Sequence, residues 1–454
     1  MRERMEQALR TSKADYTEIR IEQREASKVI FRGRDLETAD VVIDVGGIVR
    51  SLCRDGGWGI ATFNSLDDLP ARVEQAYQCA RAVHGELIEL AEVPVSEDRI
   101  TVSLVKDFRG ISLEAKKALI EGYNEILLSY GERIQDTTAR YTDRFSRVFY
   151  ANSEGTFIEE ERPEVSIALS AVAREDDNVQ RAFEGLALVQ GFEGVEGQED
   201  LAHKAGQRAL DLLRAETVVG GRYPVILDQR LAGVFIHEAF GHLSEADFVY
   251  ANPQAQEMMV LGRRFGRDIL TVVDDGSIPG LRGTHKYDDE GTPTGRTELI
   301  KNGILVGRLH SRETAAKMGE QPTGNARATS YRYPPIVRMT NTFIEAGQTP
   351  FADMIRDIKL GVYACGMFGG QTMLENFSFS AAYAHMIRDG QIAEMVRDVV
   401  LSGNLFITLQ NIDAIGDDFR WERLPGGCGK GQGGLPVSTG APHVRIQDVI
   451  IGGR

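Results

Sequence analysis

The sequence predicts an α+β protein of two domains. Residues 1–216 read as helices packed on a mainly antiparallel sheet, and residues 217–454 as a β-rich, barrel- or sandwich-like domain carrying one motif helix. Three observations carry this. The 454 residues exceed the roughly 250–300 at which a single hydrophobic core stops growing. Period-2 alternation recurs along the whole chain, whereas windows of helical period are few and concentrated before residue 215. Between the halves lies Ala215–Tyr223, whose Gly220-Gly221 pair marks a hinge.

In order, Met1–Ser12 is a short amphipathic helix. Tyr16–Glu25 alternates as a strand, with Ile19 and Ile21 on one face and Arg20, Glu22 and Arg24 on the other. Lys28–Arg32 and Val41–Val45 continue the sheet, Gly46-Gly47 predicts a hairpin turn into Ile48–Cys53, and Asp55-Gly56-Gly57 turns into Trp58–Phe63. Asp67–Val83 is a helix opened by Ser65-Leu-Asp-Asp and ended before Gly85, and Leu113–Tyr130 is a second. Strands return at Thr138–Tyr141, Arg147–Ala151, Thr156–Glu160, Val165–Val172 and Val179–Gly185, with Asn152-Ser-Glu-Gly155 as a turn. Glu199–Arg214 is a third helix. Beyond the hinge come a strand at Pro224–Leu227, the motif helix, and strands at Ile269–Val273, Val337–Ile344 and Arg445–Ile451.

Charge and composition exclude several classes of function. Lys and Arg number 52 against 67 Asp and Glu, a net charge of −15, which opposes phosphate backbones and anionic lipid surfaces alike. No apolar run approaches the ~18–20 residues of a membrane helix, and the charged start Met1-Arg-Glu-Arg has no signal-peptide core, so a cytoplasmic protein is expected. Cys53, Cys79, Cys365 and Cys428 form no CxxC pair, which argues against a disulfide framework or zinc ribbon. Glycine is in excess, 48 of 454 residues against an average near 7%.

The chemistry concentrates in Val234-Phe-Ile-His237-Glu238-Ala-Phe-Gly-His242-Leu-Ser-Glu. This HExxxH pattern is one residue longer than the HExxH of zinc peptidases, yet makes the same demand: two imidazoles hold a metal and the adjacent carboxylate takes a proton from its water. In a regular α-helix residues i and i+5 lie roughly 140° apart around the axis, so both histidines cannot reach one ion. A π-bulge, or an opening at Gly241, removes that offset. Apolar neighbours (Phe235, Ile236, Ala239, Phe240) bury the trio, at a cost of several kcal/mol unless the groups are paired or metal-bound.

A catalytic zinc site needs a third protein ligand and an open position. Glu245 and Asp247 are local candidates; Cys428, His285, His310, His385 and His443 are remote ones, with His443 the reserve. Cys428 stands out because Pro425-Gly-Gly-Cys428-Gly-Lys-Gly-Gln-Gly-Gly-Leu-Pro436 is glycine-rich enough for close backbone approach. Its Gly-Lys lacks the Ser or Thr of a phosphate loop. Asp288-Asp289-Glu290 reads as a solvated turn, and Gly366-Met-Phe-Gly-Gly370 as a bulge or close approach beside a channel.

His237-Glu-Ala-Phe-Gly-His242-Leu-Ser-Glu-Ala-Asp247 resembles the signature of the TldD/PmbA family, on its TldD side. So do Pro279-Gly-Leu-Arg-Gly283, Asp288-Asp-Glu-Gly-Thr-Pro293, Arg338-Met-Thr-Asn-Thr342 and the Cys428 loop, in order through the second half. The resemblance implies a cytoplasmic metallopeptidase with one Zn²⁺ per chain held by His237, His242 and Cys428, and Glu238 as general base. It also implies a dimer, either a homodimer or a pair with a PmbA (TldE) paralogue that lacks the motif. The implied substrates are unfolded peptides, such as precursor peptides and antitoxins, held by main-chain pairing in a narrow channel; no nucleic acid or membrane partner is implied. The competing reading is a partner subunit that binds peptides without cutting them.

Overall fold

The computed structural model describes residues 1–453 and is α+β throughout. Its first part comprises α1 (Arg2–Leu9), β1 (Tyr16–Arg32), β2 (Asp35–Cys53), β3 (Gly57–Phe63), α2 (Leu69–Ala82), β4 (Glu97–Ile100), α3 (Leu113–Leu128), β5 (Ile134–Asn152), β6 (Phe157–Glu175), β7 (Asn178–Leu188) and α4 (Glu199–Arg214). The strands form one seven-stranded sheet in the order β3-β2-β1-β5-β6-β4, with β7 also on β6. All pairs are antiparallel except β4 with β6. Asp68 and Ser112 cap α2 and α3 by accepting from Ala71 N–H and Ala115 N–H, which fixes where each helix begins. Helices α3 and α4 bury Ile120, Leu127, Ala205 and Ala209 against Ile167 and Leu169 of the sheet, while α1 and α2 bury Met5, Val73 and Ala76 against Ile19, Ile21 and Val49.

The strands are longer than their alternation predicts. Tyr16–Glu25 and Lys28–Arg32 are one strand, and the expected turn at Gly46-Gly47 is absent because β2 runs straight through it. Those glycines serve packing: a Cβ on Gly46 would lie 2.3 Å from the Tyr331 ring, and one on Gly47 would lie 2.4 Å from the Phe63 ring. The polar interruption in β5 is buried and satisfied, since Asp143 accepts from Ser27 and Tyr141 and pairs with Lys116. The 215–223 segment is not a free hinge. Glu216–Thr217 (β8) pairs with Val396–Arg397, and Gly221–Leu227 (β9) enters the sheet that follows.

That second part holds a ten-stranded and a six-stranded sheet, neither closed into a barrel. Strand β9 lies between Leu360–Cys365, parallel to it, and Val444–Gly452, antiparallel. The expected strand 337–344 is split into Ile336–Val337 and Asn341–Ile344, because the buried Asp274 carboxylate, not a strand, takes the Thr340 N–H. Helix α5 (Gln229–Ile236) packs against strands of both sheets and centres a core with Phe235, Ile236, Phe240, Phe377 and Phe379. Among the described residues no helix is long and apolar enough to cross a membrane.

Candidate metal centre

The centre grows from the end of α5. Asp228 caps the helix by accepting from Leu231 N–H at 2.7 Å, and the α-helical ladder stops at Ile236. His237–Gly241 then forms a π turn, in which the His242 N–H reaches the His237 carbonyl five residues back. One extra residue per turn cancels the offset of the i, i+5 spacing and returns His242 to the side of His237. Their ring centroids are 5.3 Å apart. Gly241 has φ −53°, ordinary helical backbone, so the turn does not need glycine's freedom. It needs the space: a Cβ there would lie 2.1 Å from Met339 Sδ.

Cys428 arrives from the opposite side on a small hairpin in which Cys428–Gly429 pairs with Gly434–Leu435. Gly431 and Gly433, with φ +68° and +83°, turn the chain between them. The fully buried Arg338 guanidinium donates to the Cys428 carbonyl and anchors the strand. Cys428 Sγ lies 3.3 Å from His242 Nε2, and the potential ligand atoms of His237, His242 and Cys428 all fall within 4.8 Å of one another.

Electrostatics follow from that crowding. Burial alone would raise the Cys428 thiol, but His237 and His242 beside it bring it down to about 5. Burial would lower His242, yet its bonds to Cys428 and Glu245 push it up to about 10, and His237 is raised against burial by the same sulfur. The metal-free cluster is thus a thiolate that holds protons on the imidazoles beside it, and a metal ion that displaces those protons would take up the electron pairs they occupy. His237 Nδ1 is buried with no hydrogen-bond partner. Two imidazoles and a thiolate suit a borderline-soft divalent ion that keeps a fourth position open. Glu238 faces a cleft of about 470 Å³ beside the cluster, lined by Phe183, Val234, Met367, Phe368 and Pro425, with its carboxylate 3.8 Å from His242 Nε2.

The other candidates lie elsewhere or behind the cluster. Glu245 is buried and accepts from His242 Nδ1 at 3.0 Å, and Asp247 pairs with Lys430. His310 lies between Glu320 and Thr314, and His385 faces the Ala393 carbonyl. His443 is held by Asp418 at 2.5 Å and Tyr363 at 2.9 Å. His285, lowered to about 4 by burial and by Arg162, accepts from Arg327.

The Asp288-Asp289-Glu290 turn corrects the sequence reading: it is buried, not solvated. Asp289 pairs with Arg20 and Arg162 of the first sheet, Glu290 pairs with Arg50, and Asp288 accepts three backbone N–H groups. The Gly366–Gly370 segment does approach closely, since a Cβ on Gly370 would meet the Phe379 ring at 1.9 Å, and it places Met367 and Phe368 on the cleft. Sequence reasoning missed Arg338 and Lys430. The basic residue two positions after Cys428, in a loop with almost no other side chains, was the available signal for the second.

Comparison with known proteins narrows the class. Family models described as PmbA/TldA metallopeptidase domain 1, central domain and C-terminal domain match residues 17–82, 106–213 and 220–453. A protein of Synechocystis sp. named a metalloprotease is 48% identical, over 97% of this chain and 96% of its own. A Saccharolobus solfataricus protein named a zinc metalloprotease TldD homolog is 28% identical, over 97% of each chain. The crystal structure of TldE from Thermococcus kodakarensis superposes with a TM-score of 0.78 at 17% identity, covering 99% of this chain and 100% of that one, so it shares the fold. The protein is therefore a metallopeptidase. Within that class the chain belongs to the PmbA/TldD family, with its homologues on the TldD side.

Proposed function

We propose that this chain is a zinc-dependent peptidase that hydrolyses unfolded or short peptides, of the precursor-peptide or antitoxin-processing type. His237, His242 and Cys428 hold one Zn²⁺ per chain, and Glu238 is the general base. The observation that carries the reading is the convergence of those three ligand atoms within 4.8 Å of one another, beside a cleft lined by His237, Cys428 and Glu238. The zinc in the name of the Saccharolobus relative supports the choice of metal.

When bound, zinc supplies a Lewis acid that lowers the pKa of its water toward about 7 and polarises the scissile carbonyl. The chain's own residues do the rest. Glu238 takes the proton of the attacking water at its carboxylate and delivers it to the leaving amide nitrogen. Glu245 holds the His242 Nδ1 proton, so that Nε2 faces the Cys428 sulfur. Phe183, Met367 and Phe368 give the cleft an apolar wall against which a peptide can pack. Residues 1–216 and 217–454 act as the two domains, and the working form is a homodimer or a pair with a TldE-like paralogue. The shared fold of the Thermococcus TldE supports the second arrangement.

Glu238→Gln tests the assignment. Zinc content should stay at the wild-type level while kcat on an unfolded peptide falls by about 10²–10⁴-fold. Turnover equal to wild type would remove Glu238 from the reaction.

A further inference from the structure

Lys430 sits at the meeting point of the two elements that build the centre. Its ammonium has three donors and meets three acceptors: Glu245 Oε2 at 3.0 Å, Asp247 Oδ1 at 2.6 Å and the Val337 carbonyl at 2.9 Å. Glu245, 1% exposed at its side chain, shares that Oε2 with His242 Nδ1 at 3.0 Å. One carboxylate oxygen therefore joins the imidazole on the π-turn segment to the lysine two residues past Cys428 on the hairpin. Between Gly426 and Gly434 only Cys428, Lys430 and Gln432 carry side chains beyond glycine. Gln432 points away, to the Pro334 carbonyl. Arg338 grips the Cys428 main chain but touches neither histidine. Lys430 is thus the hairpin side chain that fastens the loop to the histidine segment.

We propose that Glu245 and Lys430 form a latch, a pair of positioning residues that sets Cys428 against His237 and His242. This rests on the metal-site reading above. The physics is specific. A glycine-rich hairpin has high conformational freedom, and a ligand delivered by it binds well only if that freedom is already restricted. Glu245 alone would reach only the histidine segment, and Lys430 on the same carboxylate oxygen ties that segment to the hairpin. Removing the lysine therefore frees the sulfur first and the histidines second. Partners that orient metal ligands typically change affinity by 10–100-fold.

The test compares Lys430→Met, which keeps the aliphatic stem, with Lys430→Arg, which keeps the charge, both in a Cys79→Ser background because Cys79 is exposed. In metal-free protein, Cys428 of Lys430→Met should alkylate at least tenfold faster than in the parent, and Lys430→Arg should restore most of the protection. Zinc dissociation constants from chelator competition should rise 10–100-fold in Lys430→Met. Cobalt-substituted Lys430→Met should lose the thiolate-to-metal charge-transfer band while keeping ligand-field bands from the histidines. A metal-free melting transition matching the parent's separates this from misfolding, and Lys430→Gln, which also removes the ammonium, carries the test if the methionine variant does not fold. Parent-like alkylation and zinc affinity in Lys430→Met would overturn the latch. A parent that takes up no zinc would instead overturn the metal reading, with the alkylation rates still deciding the latch.

Discussion

Two clusters of ionisable groups in this chain are alike in their burial and shifted titration and unlike in what their atoms can bind. In the Asp288–Glu290 turn, every carboxylate faces a cation or backbone N–H groups: Asp289 meets Arg20 and Arg162, Glu290 meets Arg50, and Asp288 caps its own turn. That cluster joins the first sheet to the second half of the chain, and it shifts pKa values strongly, with Asp289 pulled far below the carboxylate range against burial by Arg20 and Arg162. At the centre, by contrast, imidazoles and a thiolate crowd one another with few outside partners, and His237 Nδ1 has none. Perturbed titration marks both places. Unpartnered buried N–H groups occur in both, on Arg20 and Arg50 as well as at the centre, but only the centre sets an unpartnered imidazole nitrogen beside converging atoms that can bind a metal, and that is what separates a candidate ligand site from a structural ion pair.

Breaking the two clusters in turn should therefore separate two losses. Cys428→Ala takes away a proposed ligand and should reduce turnover by on the order of 10³-fold or more, equivalent to about 4 kcal/mol of transition-state stabilisation, with zinc loss seen by metal analysis. Its metal-free stability should also fall near neutral pH, because the paired thiolate goes with the side chain. Asp289→Asn should spare the metal. It leaves Arg20 and Arg162 short of a buried counter-charge and should cost about 3–5 kcal/mol of stability, read by denaturant titration, while zinc content per folded chain is unchanged. Zinc loss in folded Asp289→Asn would show that the two clusters are coupled and the contrast is wrong.

How much of this the sequence shows depends on whether the signal is local. The helix at Glu199–Arg214 carries its periodicity within its own residues, and the structure has it with those bounds. The HExxxH spacing is likewise local, and the misfit of i, i+5 with an α-helix already points to the π turn that forms. Tertiary partners decide the rest. Gly46-Gly47 has hairpin composition, yet Tyr331, far away in sequence, occupies the space their side chains would need. Asp288-Asp289-Glu290 has the look of a solvated turn because Arg20, Arg50 and Arg162 lie more than a hundred residues upstream. Lys430 is legible as a lysine in a glycine loop, but that its ammonium meets Glu245 depends on where the hairpin docks.

The smallest effect expected is in pH, and it sharpens the contrast most finely because it needs no metal. Cys428 is held at about 5 in the folded protein against an ordinary 9.0, so its contribution to stability is complete above the unfolded value and lost as pH falls through about 5. His242 is raised from 6.5 to about 10, so its contribution is complete below 6.5 and lost as pH rises through about 10. Between about 6.5 and 9 the slopes oppose and cancel, leaving a plateau. Below it the thiolate's share declines alone, by about 2 kcal/mol between pH 6.5 and 5. Other carboxylates titrate in the same acid range, so the quantity to measure is the difference between metal-free wild type and metal-free Cys428→Ser. That difference should be flat from about 6.5 to 9 and shrink on either side. Asp289→Asn should reproduce none of this shape, since its counter-charges are arginines that hold their protons throughout. A difference curve flat down to pH 5 would mean that the thiolate and imidazoles are not paired in the metal-free chain.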